Sequence, residues 1–232
     1  MHKKAGKISI LNTESGKILT FDNVVFSLIR NNSVYTGMYW DYFTPLPLLY
    51  KKANVLVIGL GGGTIPYQLC KLYGKNVNVD VVEISRAMIT QSKKFNPELQ
   101  KDINIIFGDG ADYVAKCNSR YDVIILDAYG TNLRIPDEFF SDEFIRNAHD
   151  ALKHGGILGI NYVFGFRNLM KFCSYMRLLK TYFSVYSFSE HIYFFSNLII
   201  LAANGTRASD MRLKIKNGLR NNKNARHILK KF

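Results

Sequence analysis

Residues 55–69, VLVIGLGGGTIPYQL, decide the fold. The near-continuous apolar run Val55–Ile58 is what a parallel strand buried on both faces requires. Gly59, Gly61, Gly62 and Gly63 then allow a tight turn and a close approach of backbone to a ligand. A helix is expected from about Thr64 to Tyr73, with Pro66 tolerated only in its first turn, where a missing N–H goes unneeded. Such a turn alone serves nicotinamide, flavin and sulfonium nucleotides alike. Glu83 narrows the reading, because it ends the next apolar run, NVDVVEI (78–84), twenty positions past Gly63. A carboxylate at that place can accept both ribose hydroxyls of a nucleoside.

Downstream the same alternation repeats. Ser85 caps a helix running to Phe95. INIIFGD (103–109) is a third strand, GADYVAKC (110–117) a short helix and YDVIILDAY (121–129) a fourth strand. A helix over 137–153, a fifth strand GGILGINYVF (155–164) and an amphipathic helix over 169–183 follow. SVYSFSE (184–190) and IYFFSNLIILAAN (192–204) read as a final antiparallel pair. The expected fold is therefore α/β, a Rossmann-like seven-stranded sheet with right-handed crossovers. Asp109, beside Gly110, ends the third strand, where it can accept an adenine amino proton while a loop N–H reaches a ring nitrogen. Asp127 ends the fourth. These candidates share the carboxyl ends of consecutive strands, where open α/β sheets bind ligands.

Upstream, KISILN (7–12), KILTF (17–21) and VVFSLI (24–29) are separated by TESG and DN, and read as a small N-terminal β-hairpin region. SVYTGMYWDYFTPLPLLY (33–50) is rich in aromatics and fits either packing between domains or the wall of a ligand pocket. The expected organisation is 1–50 for the small β region and aromatic linker, 51–205 for the nucleoside-binding domain, and 206–232 for a basic tail. That tail holds nine Lys or Arg and one acid. Ser209 or Asp210 can cap a helix in it, and Met211, Leu213, Ile215 and Leu219 fit either a strand or one helix face.

The 232 residues, 47% of them hydrophobic, supply a full core and exclude fibrous and wholly disordered classes. A net charge of +13 permits binding to nucleic acid or anionic lipid without demonstrating it. Aromatics are not interleaved with the tail's charge, so no base-stacking platform stands out, and nucleic acid is not the favoured partner. Cys70, Cys117 and Cys173 show neither CxxC nor metal-like spacing, which fits a reduced, cytoplasmic compartment. No signal peptide, membrane span, G-x-S-x-G elbow or H-E-x-x-H motif is visible, and the histidines have no ligand spacing, so no metal site is expected.

From about Tyr35 to Phe164 the chain resembles the spermidine synthases, the polyamine aminopropyltransferases. The likeness rests on VLVIGLGGGT, VDVVEIS, IIFGDGADYV, YDVIILDAYG and FFSDEFIRNAHDALKHGGILGIN. It implies a methyltransferase-type sheet, a homodimer, and decarboxylated S-adenosylmethionine as donor, held by Gly59, Gly61, Gly62, Gly63, Glu83, Asp109 and Gly110. It implies that Asp127 holds and deprotonates the attacking amine, assisted by a tyrosine best matched by Tyr35, with Tyr39 and Tyr129 orienting the acceptor. Two departures bear on substrate. The family's G-G-G-D-G-G loop carries an acid where this chain has Gly62, and its D-S-S-D loop carries a second acid where this chain has Gly130. Both lost groups are anions that would face cations. Asp41 and Asp137 are the nearest sequence candidates to replace them. Without an acid at Gly62, the carboxylate of intact S-adenosylmethionine meets less repulsion, which leaves a small-molecule methyltransferase as the alternative. A non-catalytic nucleoside-binding scaffold with a basic tail is the third.

Overall fold

A computed structural model describes residues 7–130, 135–165, 169–189 and 195–232. Strands β1 (Ile8–Thr13), β2 (Gly16–Phe21) and β3 (Val24–Arg30) make a small antiparallel sheet. A 3-10 turn over Tyr39–Phe43 leads into the main unit. There β4 (Ala53–Ile58), α1 (Thr64–Tyr73), β5 (Val77–Glu83), α2 (Arg86–Phe95), β6 (Asn104–Phe107), α3 (Gly110–Val114) and β7 (Tyr121–Leu126) follow in turn. The chain continues through α4 (Asp142–Ala151), β8 (Leu152–Gly165), α5 (Leu169–Tyr182), β9 (Ser184–Ser189) and β10 (Phe195–Ala203). Helices α6 (Ala208–Leu219) and α7 (Arg226–Leu229) close it.

The main sheet has seven strands in the order β6-β5-β4-β7-β8-β10-β9. Strands β4 to β8 run parallel, and β10 is antiparallel to both β8 and β9. The order reverses direction at β4, so the carboxyl ends of β4 and β7 flank a crevice. Alternation on the central strands divides the core between the two faces. Val55, Val57, Val123 and Ile125 pack with α1 and the chain's last helices, whereas Leu56, Ile58, Ile124 and Leu126 pack with α4 and α5.

One sequence expectation shifts here, and one choice left open between strand and helix is decided. The helix anticipated over 137–153 is broken into a 3-10 turn, Asp137–Phe140, and α4. Ser141 is extended and its hydroxyl accepts from the Phe144 N–H, so a helix cap interrupts what periodicity alone would join. The tail is neither a strand nor a free arm. Met211, Ile215 and Leu219, at four-residue steps, turn inward on α6, and Leu213 is 57% exposed. Ala225, Ile228 and Phe232 are buried in the same cluster as the central strands. The aromatic linker is core as well: Trp40, Tyr42, Phe43 and Leu46 are all buried.

Candidate functional site

A cavity of about 590 Å³ opens at the carboxyl ends of β4, β5 and β7. The small sheet roofs it with Val24, Val25, Phe26 and Ser27. That sheet is pinned to the glycine loop. Thr64 Oγ1 accepts from the Leu28 N–H at 3.0 Å, and Ser27 Oγ accepts from the Gly62 N–H at 2.6 Å.

Backbone approach explains Gly59. Its φ is +94°, and a Cβ there would lie 2.5 Å from the Asp127 carbonyl oxygen. Gly62 has a different reason. A Cβ would meet the Phe95 ring at 2.7 Å and Ser27 Cβ at 2.8 Å, and Gly62 and Gly63 lie behind the lining formed by Gly59, Leu60 and Gly61. The space that an acid would need at position 62 is filled by the contact between the small sheet and α2. Gly62 therefore reflects packing between the small sheet and α2.

Glu83 lines the cavity with only 8% of its surface exposed. Its Oε2 accepts from the Leu60 N–H at 2.9 Å and its Oε1 from the Ser85 N–H at 2.8 Å. Burial pushes its carboxyl up, and those backbone donors pull it back. Each oxygen keeps a lone pair for a ligand hydroxyl. Asp109 caps α3 through Oδ1, which accepts from Ala111 and Asp112 N–H groups at 2.8 and 3.0 Å. Asp109 and Gly110 both line the cavity beside Pro136 and Phe139.

Asp127 is the electrostatic centre. Asn161 Nδ2 donates to its Oδ1 at 2.9 Å, the Tyr39 hydroxyl reaches both oxygens at 3.2 Å, and the nearby Trp40 indole favours its charged form. Burial nonetheless raises its carboxyl to about 7, against those donors. Burial and the neighbouring Asp127 hold the Tyr39 and Tyr129 phenols well above their usual value, so both stay protonated donors. Tyr129 donates to the Asn161 carbonyl at 2.8 Å, which fixes the strand that carries Asn161. Asn161 Oδ1 is buried with no protein partner, an acceptor left for a ligand N–H.

Glu83, Asp109, Gly110, Asp127, Tyr39, Tyr129, Gly59 and Gly61 are thus brought to one cavity. Tyr35 is not. Its hydroxyl accepts from Asn222 Nδ2 at 3.1 Å and its ring meets His227 edge-on, on the side of the tail. Tyr39 holds the position beside Asp127 that the sequence reading gave to Tyr35. Asp41 is wholly buried within its own loop, and Asp137 pairs with Lys171, so neither joins the cavity's lining. Glu138 does line it. Sequence reading also missed Trp40 and Asn161. Asn161 sits in an apolar strand run with nothing in the pattern to mark it. Among the described residues no cluster of three or more His, Cys, Asp or Glu is arranged to hold a metal.

A family model described as the spermine/spermidine synthase domain matches residues 38–204. A probable polyamine aminopropyl transferase of Bifidobacterium longum is 32% identical over 151 residues, 63% of this chain and 33% of that protein. A polyamine aminopropyltransferase of Thermoplasma volcanium is 33% identical over 162 residues, 66% of this chain and 56% of that protein. The chain thus spans a third to just over half of the length of these relatives. A probable spermidine synthase structure from Corynebacterium glutamicum superposes with a TM-score of 0.76 at 18% identity, covering 94% of this chain and 85% of that one.

Proposed function

The chain belongs to the spermine/spermidine synthase family, and from that premise we propose that it transfers an aminopropyl group from decarboxylated S-adenosylmethionine to an amine. The observation that carries this reading is the cavity's charge. Its lining includes four carboxylates, Glu83, Asp109, Asp127 and Glu138, and no Lys, Arg or His among the described residues, in a chain of net charge +13. An acid-lined cavity whose described lining holds no cation suits a sulfonium donor that carries an ammonium, together with an amine acceptor. It offers nothing to the carboxylate of intact S-adenosylmethionine, which weighs against methyl transfer.

The residues divide by role. Glu83 takes the ribose hydroxyls, while Asp109 and the Gly110 N–H take the adenine. Asn161 Oδ1 and Asp127 face the acceptor amine, with Tyr39 and Tyr129 as neutral donors around it. Asp127 takes a proton from the attacking ammonium. The amine nitrogen then displaces sulfur at carbon, and the C–S electron pair leaves on sulfur as neutral methylthioadenosine. A neutral thioether needs no Lewis acid to depart. A carboxyl with a value near 7 suits this duty, because it is ionised at neutral pH yet basic enough to hold the proton. Water exclusion by the small sheet strengthens these contacts.

We further propose a homodimer, since β1 and β3 are edges of a sheet whose Leu11, Val24 and Val25 are exposed, and a cytoplasmic location. No described helix is long and apolar enough to cross a membrane. The test of the donor is calorimetry with decarboxylated and intact S-adenosylmethionine. The decarboxylated form should bind at least about tenfold more tightly, an ammonium–carboxylate contact being worth roughly 1.5–3 kcal/mol. Equal or tighter binding of the intact form would overturn the reading.

A further inference from the structure

We propose that the C-terminal segment acts on the reaction, with His227 as a positioning residue that holds Tyr39 and Trp40 against Asp127. The proposal rests on Asp127 being the base described above, but its test does not need turnover.

The chain of contacts is short. His227 Nε2 lies 2.8 Å from Asp41 Oδ2. Asp41 is fully buried and gathers the loop before the 3-10 turn. Its Oδ1 accepts from the Thr36 N–H at 2.9 Å, the Thr36 hydroxyl at 2.8 Å and Gln68 Nε2 at 2.6 Å, and its Oδ2 accepts from the Gly37 N–H at 2.7 Å. Asp41 belongs to the same turn as Tyr39 and Trp40, whose rings pack at 4.7 Å; Tyr39 bonds Asp127, and Trp40 favours its charged form. His227 also contacts Tyr35, which precedes that turn, and Tyr42, which lies within it. Asn222, from the same tail, donates to Tyr35. The tail thus grips the turn at three places on the side away from the cavity.

Thr36 and Gly37 fix the loop's local shape, and Gln68 ties Asp41 to α1. His227 adds a second tie, from the tail, so the turn's place against the sheet depends in part on the tail's being docked. The groups facing Asp127 are Tyr39 and Trp40 from the turn, Asn161 from β8 and Tyr129 from its own loop. Only the first two move with the turn. If the turn loosens, Asp127 loses donors to its charged form and titrates higher.

Trp40 is the chain's single tryptophan, so its fluorescence reports on the turn and on Asp127 in the full-length protein without added substrate. Emission followed against pH should show a transition near pH 7 that disappears in Asp127→Asn. In His227→Ala that midpoint should rise by roughly one pH unit, and His227→Gln, which restores an N–H towards Asp41, should return it to the wild-type value. Ile145→Ala serves as the control, because it weakens α4 on the other face of the sheet without touching the tail or Asp41, and should leave the midpoint in place despite a lower melting temperature. Asn222→Ala gives a second, milder variant should His227→Ala fail to fold, and should shift the midpoint in the same direction. An unmoved midpoint in the His227 and Asn222 variants overturns the proposal. So does an equal shift in Ile145→Ala, or a transition that survives Asp127→Asn.

Discussion

Asp127 carries the largest consequence at the scale of single residues. Its folded value of about 7 lies above the ~3.9 of an unfolded aspartate. Raised in the folded state, it contributes stability that is fully present below about pH 4 and is lost as pH rises through 7. Asp127→Asn should therefore melt close to wild type near pH 4 and above it at pH 8, by about 1–3 kcal/mol, while turnover falls at least a hundredfold. Thermal melts at the two pH values check the first part, and an unchanged difference between them would refute the assignment. On the proposed role of Asp127 the ionised carboxylate is the active form, so kcat/KM should fall about tenfold per unit below pH 7. Gly62→Asp, which would restore the family's acid, should instead destabilise the fold by more than about 2 kcal/mol, since Phe95 and Ser27 occupy its space. A stable Gly62→Asp protein with a tighter donor would show that the contact between small sheet and α2 is soft. Glu83, Asp109 and Asp127 were legible in the sequence because strand ends announce themselves by apolar runs. Tyr39 was not separable from Tyr35, because which aromatic faces the cavity depends on the phase of a 3-10 turn that no periodicity encodes.

Among the elements, the tail shows apolar spacing outweighing composition. Its charge fits a solvated arm, but its four-residue apolar steps point to one helix face, and Met211, Ile215, Leu219, Ile228 and Phe232 bury into the core of the main sheet. Ile215→Ala should cost about 2–4 kcal/mol, whereas Leu213→Ala, on the exposed face, should stay within about 0.5 kcal/mol. Denaturant melts of the pair decide it, and equal losses would mean the helix is not docked by this face. The helical spacing was readable from residues 211–219, but its partners, Leu48 beneath Gly218 and the strands β9 and β10, were not. Periodicity locates an apolar face without naming what covers it. In the same way the parallel strands were plain, while Ser141 divided a helix that looked continuous, because a hydroxyl's choice between capping and solvent is local geometry.

For the molecule as a whole, charge is sorted between surface and cavity. A chain of net charge +13 lines the crevice at its strand ends with carboxylates, and no described cation lines it. The seven-stranded topology places that crevice at the reversal of strand order, and the small sheet closes it. The nucleoside half of this arrangement was visible in motif spacing. On the other side of the cavity Asp127, Tyr39 and Tyr129 were named from the sequence, whereas Asn161 and Glu138, which converge on it from separate parts of the chain, were not. The measurement that bears most directly on the whole account is the mass of the adenosyl product formed from an equal mixture of decarboxylated and intact S-adenosylmethionine with a panel of amines. Aminopropyl transfer predicts methylthioadenosine, formed in step with an aminopropylated amine and lost in Asp127→Asn. Adenosylhomocysteine with a methylated amine, and no methylthioadenosine, would contradict it.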